Sequence, residues 1–182
     1  MHYFLSEEAF MQTALGACYF DRKQLKVITL FGYCSKGVPG LQLVGVGKNS
    51  QYLKEKMVYL SRMQKIKFPL KRFVICLDNC TQEATLENIQ WLEFPLLIMY
   101  WSLAGKIPIH CLSDCLTIGK VDLEGRVHQP SLLDEDFFEK IKFIMGDKKK
   151  LIHYGDRNTG ELKYINARGL LGEYSQVLFP IS

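Results

Sequence analysis

The chain has 182 residues and a mass of 21.0 kDa, the size of one globular domain. Hydrophobic residues make up 48% and charged residues 23%, which excludes a disordered chain, because enough apolar surface is present to offset ordering entropy. The net charge of +4 is mild, and the longest uninterrupted apolar run, Phe94 to Trp101, falls far short of the ~20 residues of a membrane span. Met1 to Glu8 lack a basic region followed by an apolar stretch, so a cytoplasmic protein away from any membrane is expected. Cys18, Cys34, Cys76, Cys80, Cys111 and Cys115 are too few for a disulfide scaffold and are expected as free, buried thiols.

Leu25 to Tyr33 alternates around Val27, Thr29 and Phe31 and predicts a strand. Ser35 to Gly40 carries two glycines and a proline and reads as a turn, with a second strand over Leu41 to Val46. Together they predict an antiparallel hairpin. Asn49 or Ser50 is a candidate helix cap, and Leu53, Met57 and Leu60 recur at helical spacing up to about Lys65. Arg72 to Leu77 is an apolar third strand, and Asp78 to Asn88 is a polar loop with room for one helical turn. Phe94 to Leu103 predicts a buried helix, with Pro95 in the first turn and Gly105 beyond its end. Cys115 to Val121 predicts a strand, Glu124-Gly125 a turn and Arg126 to His128 the return. Leu132 to Met145 places Phe137, Ile141 and Ile144 on one helix face. Leu151 to Tyr154 and Glu161 to Ile165 flank Asp156 to Gly160, the signature of a hairpin. The fold class is therefore α/β (α+β), a mixed sheet covered by helices, with an added C-terminal helix and β-hairpin.

Charge is uneven along this order. Lys48 to Arg72 holds eight basic residues and one acid, Glu55, whereas Asp78 to Glu93 holds four acids and no base. Lys148, Lys149 and Lys150 form a second basic run. Basic side chains gathered on one face bind phosphates, so Lys54, Lys56, Arg62, Lys65, Lys67, Lys71, Arg72 and the 148–150 run are candidate nucleic-acid contacts. Helical spacing places Lys54, Arg62 and Lys65 in one stripe.

Several segments, in order, resemble the N-terminal domain of magnesium-chelatase-like AAA+ ATPases, the group that includes competence-associated helicase-like proteins. Gly37 to Val46 (GVPGLQLVGV) is similar to the family's GLPGFTIVGLP, and Leu53-Lys54-Glu55 to its VKES. Phe68 to Ile75 (FPLKRFVI) is similar to FPQRRITV, and Phe94 to Ile98 with Ala104 to Pro108 to DLPIALG and SGQIP. Ile118 to Val127 (IGKVDLEGRV) is similar to LGELSLDGRV. The resemblance runs from about Leu15 to Val127 and implies the fold of the Lon protease catalytic domain. It places a domain of this type at 1–146, with a hairpin extension at 147–182.

The family's ATPase module would follow, but the sequence has no G-x-x-x-x-G-K-[ST] loop to cradle phosphates. The expectation is an accessory domain standing alone. Lon-type peptidases use a serine activated by a lysine, and the resemblance puts Gln90 at the nucleophile position. Thr81 and Thr85 precede it, and Lys140 or Lys142 falls near the partner lysine's place. Glutamine supplies no nucleophile, so no catalytic residue and no cofactor are expected. A zinc set of Cys76, Cys80, Cys111 and Cys115, with His110 adjacent, is the metal alternative, though the C-x-x-x-C spacing departs from the usual pairs. The expected function is a non-catalytic protein-interaction or assembly module, with self-association or partner binding at the exposed edge of its terminal hairpin. The alternatives are nucleic-acid binding through the 48–72 segment and a cryptic hydrolase.

Overall fold

The computed structural model describes residues 12–78, 85–107, 112–131, 134–145, 150–153 and 164–166. Strand β1 (Gln12–Asp21) runs antiparallel to β2 (Gln24–Ser35), in register from Gln12 opposite Tyr33 to Asp21 opposite Gln24. The connection is two residues, Arg22 and Lys23, with φ of +46° and +68°. Two central residues at positive φ suit the right-handed twist of a hairpin.

Strand β3 (Gly40–Val44) leads through helix α1 (Ser50–Met63) to β4 (Arg72–Asp78). β4 pairs parallel with β3 and antiparallel with β2, so it lies between them. The expected β2–β3 hairpin is thereby overturned. Burial explains the exchange: β4 is apolar on both faces and takes the interior position, while β3 alternates and takes the edge. Asn49 makes no capping side-chain bond to α1; a short 3₁₀ turn over Gly47–Asn49 leads in instead.

After the short α2 (Leu86–Ile89) and a 3₁₀ turn over Gln90–Leu92 comes α3 (Glu93–Leu103). Strand β5 (Cys115–Thr117) pairs parallel with β1. The expected strand 115–121 breaks at Gly119, whose N–H donates to Trp91 O at 2.9 Å and whose carbonyl accepts from Phe94 N–H at 3.0 Å. The chain then forms a separate antiparallel pair, β6 (Lys120–Val121) with β7 (Val127–His128). Helix α4 (Glu135–Met145) leads to β8 (Lys150–His153), which joins β5 in the main sheet. Strand β9 (Tyr164–Asn166) pairs parallel with β8. The expected terminal hairpin is therefore corrected: its strands run in the same direction, whereas a hairpin's run in opposite directions.

The main sheet has the order β3-β4-β2-β1-β5-β8-β9, so the fold is mixed α/β. One face packs on α1 and α3, with Leu15, Leu30, Phe73, Ile75, Leu53, Met57 and the whole of Phe94 to Trp101 buried. α3 is apolar all round, as befits a helix wrapped in core. It presses so closely on β2 that a Cβ on Gly32 would stand 2.9 Å from Leu103 Cδ1. Trp101 Nε1 donates to Ser61 Oγ at 2.9 Å, tying α3 to α1. On the other face, α4 covers β1, β5 and β8, through Phe137, Ile141 and Met145 on Cys18, Leu116 and Leu151, and reaches Leu25 at the start of β2. Among the described residues, no helix covers the half formed by β2, β4 and β3 on that side. No helix among the described residues is long and apolar enough to cross a membrane.

Candidate nucleic-acid interface

The basic segment has two fates. Lys56 lies on the flank of α1 and donates from Nζ to Glu93 Oε1 at 2.7 Å, with side chains only 9% and 1% exposed. Glu93 Oε2 also accepts the Val121 N–H at 2.9 Å. Lys56 is thus a structural cation and leaves the candidate set. Lys54 is partly buried on the same helix.

The remaining cations converge on one end of the molecule. α1 ends with the Lys65 N–H donating to Arg62 O at 2.8 Å and the Ile66 N–H to Ser61 O at 3.1 Å. This is a Schellman cap with Lys65, at φ +55°, in the position glycine usually takes. α3 ends at the same pole with the same pair of bonds, Gly105 to Ser102 and Lys106 to Trp101, and there the left-handed residue is a glycine. Phe68 stacks on Tyr100 at 4.3 Å and meets Phe73 edge-on, which carries the chain from α1 to the start of β4. There Lys71 O accepts from Gly40 N–H at 3.2 Å, and Arg72 lies opposite Ser35.

Arg62, Lys65, Lys67, Lys71 and Arg72 are all exposed at this pole. Lys36 in the β2–β3 loop and Lys106 after α3 join them; sequence reasoning omitted both because they are distant in the chain. The contributing stretches, 33–40, 61–73 and 97–107, contain no Asp or Glu. Burial pushes the Tyr100 phenol above its ordinary value, against the opposing pull of the nearby Arg62 charge. Lys150 is exposed at the start of β8, on the far side of the sheet from β4, while Lys148 and Lys149 lie outside the described residues.

The open sheet half adjoins this pole. Arg72 faces that side, donating from Nη2 to Gln42 Oε1, and the same face carries Tyr33, Phe31 and Val27 along β2 and Val44 on β3. Phe31 is 44% exposed and Tyr33 39%, so neither ring belongs to the core. The alternation that predicted β2 also marked these residues, as the face opposite Ile28 and Leu30.

The residues weighed for hydrolysis lie at the opposite end. Thr85 and Lys140 line one cleft of about 840 Å³, with Asp21, Asn88, Trp91 and Asp134. Each has a local role: Thr85 Oγ1 accepts the Asn88 N–H at 3.4 Å and caps α2, and Lys140 Nζ pairs with Asp136 at 2.6 Å. Lys142 lies 5.7 Å over the Phe138 ring. Gln90 sits in the 3₁₀ turn before α3, and Thr81 lies outside the described residues.

The four-cysteine set comes apart. Cys76 on β4 and Cys115 on β5 are separated by β2 and β1, roughly 14 Å at the usual strand spacing, too far to share an ion held at about 2.3 Å from each sulfur. Burial pushes the Cys76 thiol up, away from the thiolate a metal needs. Cys80, Cys111 and His110 lie outside the described residues. Among the described residues, Cys34 and Cys76 are free thiols. In comparisons with known proteins, the chain matches no family model and no curated protein.

Proposed function

We propose that the chain is a non-catalytic module that binds nucleic acid through its basic pole. The observation that carries this reading is the convergence of Arg62, Lys65, Lys67, Lys71 and Arg72 with Lys36 and Lys106 from three chain stretches free of carboxylates. Each phosphate neutralised by such a cation releases a counterion, which makes the interaction strong at low salt and sequence-independent. The non-catalytic part is supported by Gln90 at the nucleophile position implied by the magnesium-chelatase resemblance, and by Thr85 and Lys140 being engaged locally. The free thiols Cys34 and Cys76 support a reducing, cytoplasmic setting.

The test is a triple charge reversal, Lys65→Glu, Lys67→Glu and Lys71→Glu, on exposed positions where the fold has little at stake. Binding of a labelled oligonucleotide should fall at least 100-fold at ~50 mM salt, since three phosphate contacts are replaced by repulsion. Undiminished binding would overturn the reading.

A protein partner is the second reading. It is favoured by the exposed apolar side chains Val27, Phe31, Tyr33 and Val44 on one sheet face, since contiguous apolar surface marks interaction sites.

A further inference from the structure

The open sheet half and the basic pole are contiguous, and together they select among nucleic acids. Arg72 belongs to both: it starts β4 at the pole, and its guanidinium lies on the open face against Gln42. Along β2 from that point come Tyr33 and then Phe31, two residues apart and roughly 7 Å along the strand. Their neighbours on the same face are slight. Phe31 stands between Ala14 and Cys76, and Tyr33 between Gln12 and Val74. Neither ring packs on another ring among the described residues. α4 shields the other half of this face and reaches β2 only at its first residues, where Leu25 packs against the α4 cluster. The result is a sheet face that carries two exposed aromatic side chains, with Arg72 at one end and Asp78 at the other.

We infer that the ligand is single-stranded nucleic acid, led by its phosphates from the basic pole onto the open sheet, with bases stacked on Tyr33 and Phe31. This rests on the nucleic-acid reading above and narrows it. A base has a π-face that stacks on an aromatic ring regardless of sequence, while its backbone follows the cations. A duplex keeps its base faces inside the stack, so it engages the cations and leaves the rings unused.

The test is fluorescence anisotropy of the full chain with fluorescein-labelled oligo-dT of about 20 nucleotides and with a duplex of equal length, at ~50 mM salt. Variants Phe31→Ala and Tyr33→Ala change exposed side chains, and circular dichroism confirms that they fold. Oligo-dT is expected to bind at least tenfold tighter than duplex. Each alanine should weaken oligo-dT binding by about 5- to 150-fold without altering its salt dependence, the loss of one stacked base. Phe31→Trp should bind at least as tightly as the unaltered chain. Equal affinity for duplex, or unchanged oligo-dT binding in both alanine variants, overturns this inference and leaves the basic-pole reading intact. Absence of binding to either probe overturns both.

Discussion

Lys56 and Glu93 form an ion pair at 2.7 Å between α1 and the first turn of α3, thirty-seven residues apart in sequence and sealed from solvent. The carboxylate is fully engaged, one oxygen on Lys56 and the other on the Val121 N–H. Removing one partner leaves a buried charge uncompensated. Glu93→Ala and Lys56→Ala should each destabilise the fold by about 3–5 kcal/mol, read as a shift of the urea midpoint. A loss below about 1 kcal/mol would show that the pair is solvated.

Lys65 has the opposite character. It holds a left-handed C-terminal position that Gly105 fills at the end of α3. Lys65→Gly should therefore stabilise the chain by up to about 1 kcal/mol, because glycine adopts positive φ without steric cost. The same substitution removes a cation from the basic pole. Higher stability combined with weaker oligonucleotide binding separates the two effects; lower stability would contradict the cap.

Arg22 and Lys23 turn the β1–β2 hairpin with both residues at positive φ. Replacing them with Asn-Gly supplies the residues that this turn favours and should add about 1 kcal/mol. Thermal unfolding of the double variant measures it.

His153 gives the fold a pH dependence. Burial pushes its imidazole below the ordinary 6.5, against a weaker opposing effect of the bond to the Pro130 carbonyl at 3.1 Å. The folded chain then binds fewer protons than the unfolded chain in the window just below pH 6.5. Stability contributed by neutral His153 is complete above that value and declines as pH falls through it. His153→Gln keeps an N–H for Pro130 and should flatten that decline in urea titrations at stepped pH. An unchanged slope would assign the effect to other groups.

Much of this fold is legible in the sequence, for reasons that particular residues show. α1, α3 and α4 follow from apolar spacing, and β2 and β4 from β-branched and aromatic runs. β1 escapes notice because Ala14, Gly16, Ala17 and Cys18 are small and carry little strand propensity, and because an Arg-Lys turn lacks the Asn-Gly signal. Strand order is less legible still: local patterning pairs β2 with β3, whereas the continuous apolar run of β4 claims the place between them. The basic candidates were visible as a run, but their sorting was not. Lys56 is withdrawn by Glu93, and Lys36 and Lys106 are added by folding, both consequences of contacts distant in sequence.

The central claim, that the basic pole neutralises phosphates, is tested most directly by titrating labelled oligo-dT against the full chain across a salt series. Four phosphate contacts predict a log–log slope near −2.8, and so about a 50-fold loss of affinity between 50 and 200 mM salt. Binding that ignores salt, or no binding at 50 mM, would contradict it.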